Sequence, residues 1–276
     1  MDYLLLLREL PTWYQFAAVL VLGAVLASFA NVVAYRLHTN ASLSGRSRCF
    51  SCGHTLQWFE LVPVVSYVVL RGRCRECRSR IPRRDLWVEI LMAGLFALSY
   101  ALAATFVQLL LWWLLIVVLL IVTLYDVEHY IIPNELVVAL ATISLAVFVA
   151  SAWPVTVPAL LNGGLAVVAA AGLYAALWKF SGGAWLGFGD VKLAAALGPL
   201  LTIEQSVSMV VLSFWIGAVV GIVLVLLPQW WRRAWASAHA RPALTFKSEI
   251  PFAPFITIAF LVVYIYGIDV FSLFIG

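Results

Sequence analysis

Long apolar segments alternate with short polar ones along almost the whole chain. A membrane-spanning helix needs about 17–25 predominantly apolar residues, and several segments fit that range. The seven that we expect to cross cover residues 14–35, 86–106, 108–125, 135–153, 155–180, 205–227 and 250–274. An eighth, 190–203, is shorter, and Gly198-Pro199 would extend it irregularly where protein shields the backbone. The pattern predicts an all-α polytopic membrane protein with about eight transmembrane helices.

Composition supports a bilayer environment for these segments. The chain is 64% hydrophobic and 11% charged, whereas soluble domains carry about 25% charged residues. A soluble enzyme or binding domain is therefore excluded.

Positive charge is concentrated in one segment and predicts the topology. Ten of the 17 Lys and Arg residues fall there, at Arg36, Arg46, Arg48, Arg71, Arg73, Arg75, Arg78, Arg80, Arg83 and Arg84. The positive-inside rule places this segment in the cytoplasm, and with eight spans both termini lie outside. The other basic residues flank or fill predicted inner loops at Lys179, Lys192, Arg232, Arg233, Arg241 and Lys247, and Arg8 alone falls outside.

The same basic loop has two alternative explanations, a nucleic-acid patch and a footprint for anionic lipid. No nucleic-acid motif accompanies the arginines, so we expect no nucleic-acid partner. A topology signal combined with solvation explains most of them.

All four cysteines lie in the basic loop, as Cys49-Phe-Ser-Cys52 and Cys74-Arg-Glu-Cys77. Two C-x-x-C turns present four thiolates in the arrangement that tetrahedral zinc prefers, and the reducing cytoplasm disfavours disulfides. Redox-active pairs or two unrelated thiol pairs are the alternatives. We expect a structural zinc site on Cys49, Cys52, Cys74 and Cys77, because the loop is too small to build its own core. Residues 61–70 between the pairs are too few to span, and we expect them to pack at the membrane surface or against the zinc site.

Two acids stand at the ends of apolar segments. Asp126 closes the uncharged run from residue 108, and Asp190 follows Gly187-Phe-Gly189. An ionisable group at a membrane span costs free energy and by default marks a working site. The predicted topology puts both carboxylates at the cytoplasmic edge, which suggests an aspartyl pair. Asp190 could alternatively cap a helix N-terminus.

Five motifs in order give the chain its resemblance to a known family. They are Ser28-Phe-Ala-Asn31-Val-Val-Ala-Tyr35-Arg36-Leu37, the paired C-x-x-C elements with Pro63-Val-Val-Ser66 and Leu70-Arg-Gly-Arg73 between them, Asp126 upstream of Ile132-Pro133-Asn134, Gly187-Phe-Gly189-Asp190-Val-Lys192-Leu193, and Pro251-Phe-Ala-Pro254-Phe255. The chain resembles the bacterial prepilin peptidases, the type IV leader peptidase family of integral-membrane aspartyl proteases.

The resemblance implies a bifunctional enzyme of the bacterial inner membrane. Such enzymes cut the basic leader from type IV prepilins or type II secretion pseudopilins after a glycine, and many then methylate the new amino terminus with S-adenosylmethionine. Asp126 and Asp190 map onto the catalytic aspartates, with Gly187, Gly189 and Lys192 as motif support. We expect a first transmembrane helix in 1–35, a tetracysteine zinc-binding domain in 36–85 and a multi-span peptidase domain in 86–276.

Two function classes compete with an enzyme. A secondary transporter would use intramembrane acids as a proton relay, but it favours acids near the midplane and symmetric halves. A non-catalytic zinc-bearing assembly factor of a pilus or secretion system would need neither aspartate for activity.

Overall fold

The computed structural model describes Leu4, residues 8–39, Ser42, residues 44–226 and residues 250–270. Within these residues the chain is helical, and its only strand-like pairings are two isolated bridges. The α-helices are α1 Thr12–Thr39, α2 Val65–Val69, α3 Arg83–Leu102, α4 Phe106–His129, α5 Asn134–Ser151, α6 Val157–Phe180, α7 Phe188–Leu197, α8 Ile203–Leu226 and α9 Ala253–Tyr266. Two 3₁₀ turns, Trp58–Leu61 and Gly198–Leu200, complete the described elements.

Six of these helices are long and apolar enough to cross a membrane: α1, α3, α4, α5, α6 and α8. The chain is therefore a multi-pass membrane protein, as the apolar pattern predicts. The other two expected spans are shorter in the structure. Residues 190–203 form most of α7, a 3₁₀ turn and the first residue of α8, and the last span is the 14-residue helix α9.

The expected count of eight crossing helices is thus not confirmed as such. Apolar length alone could not separate a crossing helix from a short buried one. Several parts of the sequence predictions lie outside the described residues. They are residue 227, residues 271–274 at the end of the last expected span, and the basic residues Arg232, Arg233, Arg241 and Lys247.

The described residues form two compact units, one up to Ile121 and the other from Val122 onward. Helix α4 begins in the first unit, and its last turns belong to the second. The domain boundaries expected at residues 35 and 85 stay a prediction.

In the first unit α1 and α3 pack against each other as an antiparallel pair. The Tyr100 hydroxyl donates to Gln15 Oε1 at 2.6 Å, and further along α1 the Ser28 side chain hydrogen-bonds Glu89. Gly23 allows the close contact between them, because a Cβ there would lie 2.9 Å from Ala93 Cα. Small residues at such positions let membrane helices approach closely enough to gain dispersion contacts.

In the second unit α6 packs against α7 and α8, while α8 packs against α9. The end of α7 approaches α6 so closely that a Cβ on Gly198 would lie 2.6 Å from Val167 Cα. Tyr174 of α6 is fully buried, and its hydroxyl lies 2.7 Å from the Ser213 hydroxyl of α8. This packing fixes the short helix α7, which carries Asp190.

Candidate active site

The two acids at the ends of apolar segments meet in the second unit. Asp126 lies in the last turn of α4 and is 5% exposed, and Asp190 lies in the first turn of α7 and is 6% exposed. Their carboxylates interact electrostatically, although 64 positions of chain separate them. Burying two interacting carboxylates is unfavourable unless each is stabilised by hydrogen bonds.

Each carboxylate accepts a backbone hydrogen bond. Asp190 Oδ2 accepts the N–H of Gly187 at 3.2 Å, and Asp126 Oδ2 accepts the N–H of Ala253 at 3.1 Å. The second donor is the first residue of α9, so the free amide end of a helix faces Asp126.

Asp190 stabilises its own helix, but not as the N-cap residue. The N-cap is Gly187, and Asp190 is the third residue of the helix, from which its carboxylate reaches back to the Gly187 N–H. This is the acidic half of a capping box. Helix capping and a place in the aspartate pair are therefore compatible roles for the same carboxylate.

The two glycines before Asp190 differ in what surrounds them. A Cβ on Gly189 would lie 3.2 Å from Ile132 Cγ1, tighter than ordinary contact, so glycine permits the loop after α4 to pack against α7. A Cβ on Gly187 would meet Asp190 Oδ2 at an ordinary 3.5 Å, and its φ of −75° suits any residue. Only Gly189 is explained by close approach.

Lys192 connects α7 to the start of α5. Its Nζ donates to Asn134 Oδ1 at 2.6 Å and lies 5.8 Å from the centre of the Phe188 ring. Asn134 belongs to the Ile132-Pro133-Asn134 motif that follows Asp126. The lysine thus ties the segment after one aspartate to the helix that bears the other.

Sequence reasoning missed two groups beside the pair. Tyr174 interacts electrostatically with Asp190 from the middle of α6. The N–H of Ala253 is a backbone group and leaves no trace in residue identity, although the proline pair Pro251 and Pro254 around it marks an unusual helix start. A tyrosine in the middle of an apolar span was the available signal for Tyr174.

The four cysteines form a second cluster, in the first unit. Their sulfur atoms all lie within 4.8 Å of one another, and Cys49 Sγ is 3.8 Å from Cys77 Sγ. Four sulfurs placed about 2.3 Å from a tetrahedral zinc would lie roughly 3.8 Å apart. The cluster could therefore hold a metal ion with little rearrangement.

Both C-x-x-C turns have the same backbone frame. Cys49 N–H donates to His54 O at 2.8 Å and Gly53 N–H to Cys49 O at 2.9 Å. The corresponding bonds of the second turn are Cys74 N–H to Ser79 O at 2.9 Å and Arg78 N–H to Cys74 O at 3.1 Å. Isolated bridges flank both turns, joining Arg48 to Thr55 and Arg73 to Arg80. Gly53 and Arg78 occupy the same position with φ of 74° and 60°.

The thiols perturb one another's proton affinity. Burial raises the pKa of Cys49, but backbone N–H groups of Cys52 and Ser51 outweigh it and lower the pKa to about 6. The pKa of Cys77 is also lowered, and the hydrogen bond with the Ser79 hydroxyl is the largest cause of that shift. Metal binding needs thiolates, and these shifts favour the thiolate form of Cys49 and Cys77.

Glu60 is buried beside the first C-x-x-C turn and contacts the residues that follow it. Its side chain is 1% exposed, and its carboxylate accepts the Gln57 N–H at 2.7 Å and lies 3.1 Å from His54 Nε2. The hydrogen bond from Gln57, followed by His54, lowers the pKa of Glu60 against the effect of burial.

Comparison with known proteins matches both units. Residues 21–103 match the family model of the bacterial peptidase A24 N-terminal domain, and residues 113–222 match that of the type IV leader peptidase family. Similar proteins include the prepilin leader peptidase/N-methyltransferase of Burkholderia pseudomallei strain K96243, which is 30% identical over 276 residues, covering 90% of this chain and 84% of the relative.

Two further relatives carry the same name. The Aeromonas hydrophila protein is 30% identical over 299 residues, covering 92% of each chain. The Myxococcus xanthus protein is 32% identical over 211 residues, covering 75% of this chain and 62% of the relative. No solved structure matches this chain.

Proposed function

This chain belongs to the type IV leader peptidase family, and we propose that Asp126 and Asp190 are the catalytic pair that removes the leader from a prepilin or pseudopilin. Family membership confirms the resemblance drawn from the five motifs. The single observation that carries the residue assignment is the pair of buried, interacting carboxylates, each held by one backbone N–H.

Peptide hydrolysis by two carboxylates needs one ionised and one neutral group. The ionised carboxylate accepts a proton from water as the water oxygen attacks the scissile carbonyl carbon, and the neutral one donates its proton to the carbonyl oxygen. Collapse of the tetrahedral intermediate then breaks the C–N bond. The carboxyl group that took the water proton gives it to the leaving amine, and a hydroxyl of the intermediate returns a proton to the other carboxylate. Two carboxylates that interact share these roles as a pair.

Replacing each aspartate by asparagine tests the assignment. Asp126→Asn and Asp190→Asn should each lower prepilin cleavage by about a thousandfold or more, and the double variant should be no worse than either, since the groups act as a unit. Mass analysis of a prepilin incubated with the reconstituted enzyme measures cleavage. Asp269→Asn is the matched control, because Asp269 lies beyond the far end of α9 from Ala253. A folded Asp190→Asn enzyme that trims prepilin at the wild-type rate would refute the assignment.

The bacterial inner membrane with the pair facing the cytoplasm is the setting that we propose. Support comes from the arginine bias of the loop between the first two spans. A prepilin keeps its apolar helix in the bilayer and its basic leader in the cytoplasm, so the scissile bond would meet the carboxylates at the inner leaflet. Reporter fusions after Arg80 and at the carboxyl terminus should report opposite sides, and finding them on the same side would contradict the proposed topology.

N-methylation of the new amino terminus is the second activity that we propose. It is supported by the names of the relatives, which join peptidase and N-methyltransferase. The chain contains no G-x-G-x-x-G element, so the methylation proposal rests on the relatives. Any S-adenosylmethionine site should involve the loop that bears the cysteines. Mass analysis of the cleaved pilin should show one added methyl group, and a product that stays unmethylated with excess S-adenosylmethionine would contradict this.

Zinc is the metal that we propose for the four cysteines, in a structural role. Four thiolates complete its tetrahedral shell and leave no position for a reacting water. When bound, the ion supplies cross-linking of the loop and no step of hydrolysis. The transporter and the non-catalytic assembly factor gain no support, since the relatives are named as enzymes.

A further inference from the structure

Three valines of the short helix α2 point away from the protein. Val65, Val68 and Val69 are 57%, 63% and 72% exposed, and their spacing puts them on one face, here called the valine face. Trp58, in the 3₁₀ turn before α2, is 77% exposed. Neighbouring exposed apolar side chains of this kind are typical of a surface that contacts a membrane or another molecule.

A hydrogen bond fixes the level of α2 along α3. The N–H of Val64 donates to Glu89 Oε2 at 2.7 Å. Glu89 lies six residues into α3, about 9 Å along the helix axis from Arg83. On the same stretch of α3, Ile90 and Leu91 are exposed. Because α3 is apolar enough to span a membrane, these side chains face lipid, and α2 lies at their level.

The bond to Glu89 also holds a strained turn. Val64 has a φ of 62°, a strained conformation that a β-branched residue rarely adopts. The carboxylate is buried and also hydrogen-bonds the Ser28 side chain of α1. The position of α2 beside the two spans is therefore enforced by α1 and α3 together.

The surroundings of α2 are strongly basic. Within residues 44–83, as the structure describes them, the exposed charged side chains are Arg46, Arg48, Arg71, Arg73, Arg75, Arg78, Arg80, Arg83 and a single acid, Glu76. This charge disfavours a second copy of the chain and any basic peptide as the cover. It favours anionic phospholipid, whose headgroups attract basic residues beside a span.

We propose that residues 58–69 lie in the membrane interface, with the valine face and Trp58 against acyl chains and the neighbouring arginines on anionic headgroups. Tryptophan is enriched at this depth of the bilayer, and a basic segment with an apolar face is typical of elements that lie in the interface. The ring of Phe50, 4.9 Å from that of Tyr35 near the end of α1, brings the first cysteine turn to the same boundary. The proposal concerns the first unit alone and does not depend on the cleavage reaction.

Photo-crosslinking in the full-length protein tests the valine face. A photoreactive residue is introduced in place of Val68, with Leu91 as the lipid-facing reference and Glu76 as the matched exposed control, in nanodiscs that contain phosphatidylglycerol. Mass analysis should show phospholipid adducts at positions 68 and 91 and no adducts at position 76. Adducts to a second copy of the chain at 68, or reaction with water alone, would overturn the proposal.

Lipid retention tests the headgroup half. The triple variant Arg71→Gln, Arg73→Gln, Arg80→Gln should lower anionic lipid bound to the detergent-extracted protein by about tenfold or more, since each basic residue contributes near an anionic surface. Lys179→Gln, at the end of α6, should retain the wild-type amount. Native mass spectrometry measures the bound lipid. Equal retention by the triple variant and the wild type would overturn the headgroup assignment.

Discussion

The N–H of Ala253 donates a hydrogen bond to the buried carboxylate of Asp126 over 127 positions of sequence. Ala253 is itself fully buried and begins α9. A hydrogen bond to a charged group contributes more than one between neutral groups. This contact fixes where one of the two proposed catalytic oxygens stands, and it does so through the backbone.

Replacing the Ala253 N–H by an ester oxygen should slow cleavage by roughly 10- to 100-fold, because a hydrogen bond to a charged group contributes about 1.5–3 kcal/mol. Lactic acid incorporated at position 253 makes this change and leaves the side chain unaltered. The control is the corresponding ester at exposed Ile258 of the same helix, which removes an ordinary helical N–H. Equal rates for the two esters would show that the Asp126 contact has no catalytic role.

Gly189→Ala should impair cleavage, whereas Gly187→Ala should be tolerated. The new methyl group at 189 would lie 3.2 Å from Ile132 Cγ1, while at 187 the nearest atom is at 3.5 Å. Overpacking costs about 1–3 kcal/mol, which exceeds the roughly 1 kcal/mol that alanine adds to a helix over glycine. Prepilin turnover and thermal unfolding in detergent measure the difference. A Gly189→Ala enzyme as active as Gly187→Ala would contradict the packing argument.

Lys192→Met should reduce cleavage by about tenfold, because it removes the charged donor to Asn134. If Lys192 only extended its charge to the membrane interface, replacing it would leave cleavage unchanged. Lys179→Met is the control, because the same replacement there should not affect cleavage. Asn134→Leu should produce a similar loss. The two changes should be non-additive in a double-mutant cycle, with a coupling of about 0.5–3 kcal/mol. Additive losses would mean that the two side chains act separately.

Cys74→Ser should abolish metal retention, because it removes one of four ligands from a closed tetrahedral site. Cys74 is the buried member of the cluster. Elemental analysis of the purified protein should find a single zinc per chain in the wild type and in the control Ser51→Ala. Thermal unfolding should occur at lower temperature in Cys74→Ser, while cleavage chemistry persists in the folded fraction. A wild type with negligible metal and four reactive thiols would exclude the site.

The helices were predictable from sequence, and their mutual register was not. Uninterrupted apolar runs identify α1, α4 and α8, because hydrocarbon accepts only a backbone that satisfies its own hydrogen bonds. The short helix α7 is as apolar as a span but is held inside protein, where Gly198 meets Val167. That distinction depends on packing between segments, and no local pattern encodes it.

Part of the candidate site was also visible in the sequence. Asp126 and Asp190 stand out because acids are rare in apolar surroundings. The spacing of the cysteines is by itself enough to indicate a site for one metal ion. The contacts of Lys192 and Asp126 did not stand out. Lys192 pairs with Asn134 across 58 positions, and the partner of Asp126 is an amide that every residue other than proline carries. Position in three dimensions makes these groups special, whereas their chemical type does not.

The two C-x-x-C turns lie far apart in sequence, and this separation determines how a bound ion would hold the loop. Each turn offers only two sulfurs, so an ion bound by all four fastens together two stretches of chain that begin at Cys49 and Cys74. Closing a loop of that length stabilises a fold by roughly 3 kcal/mol when the fastening is covalent. A cross-link through a metal ion differs from a covalent one because it is reversible. A strong chelator would open it without cutting the chain, and a protease cut between residues 61 and 70 would leave both halves joined.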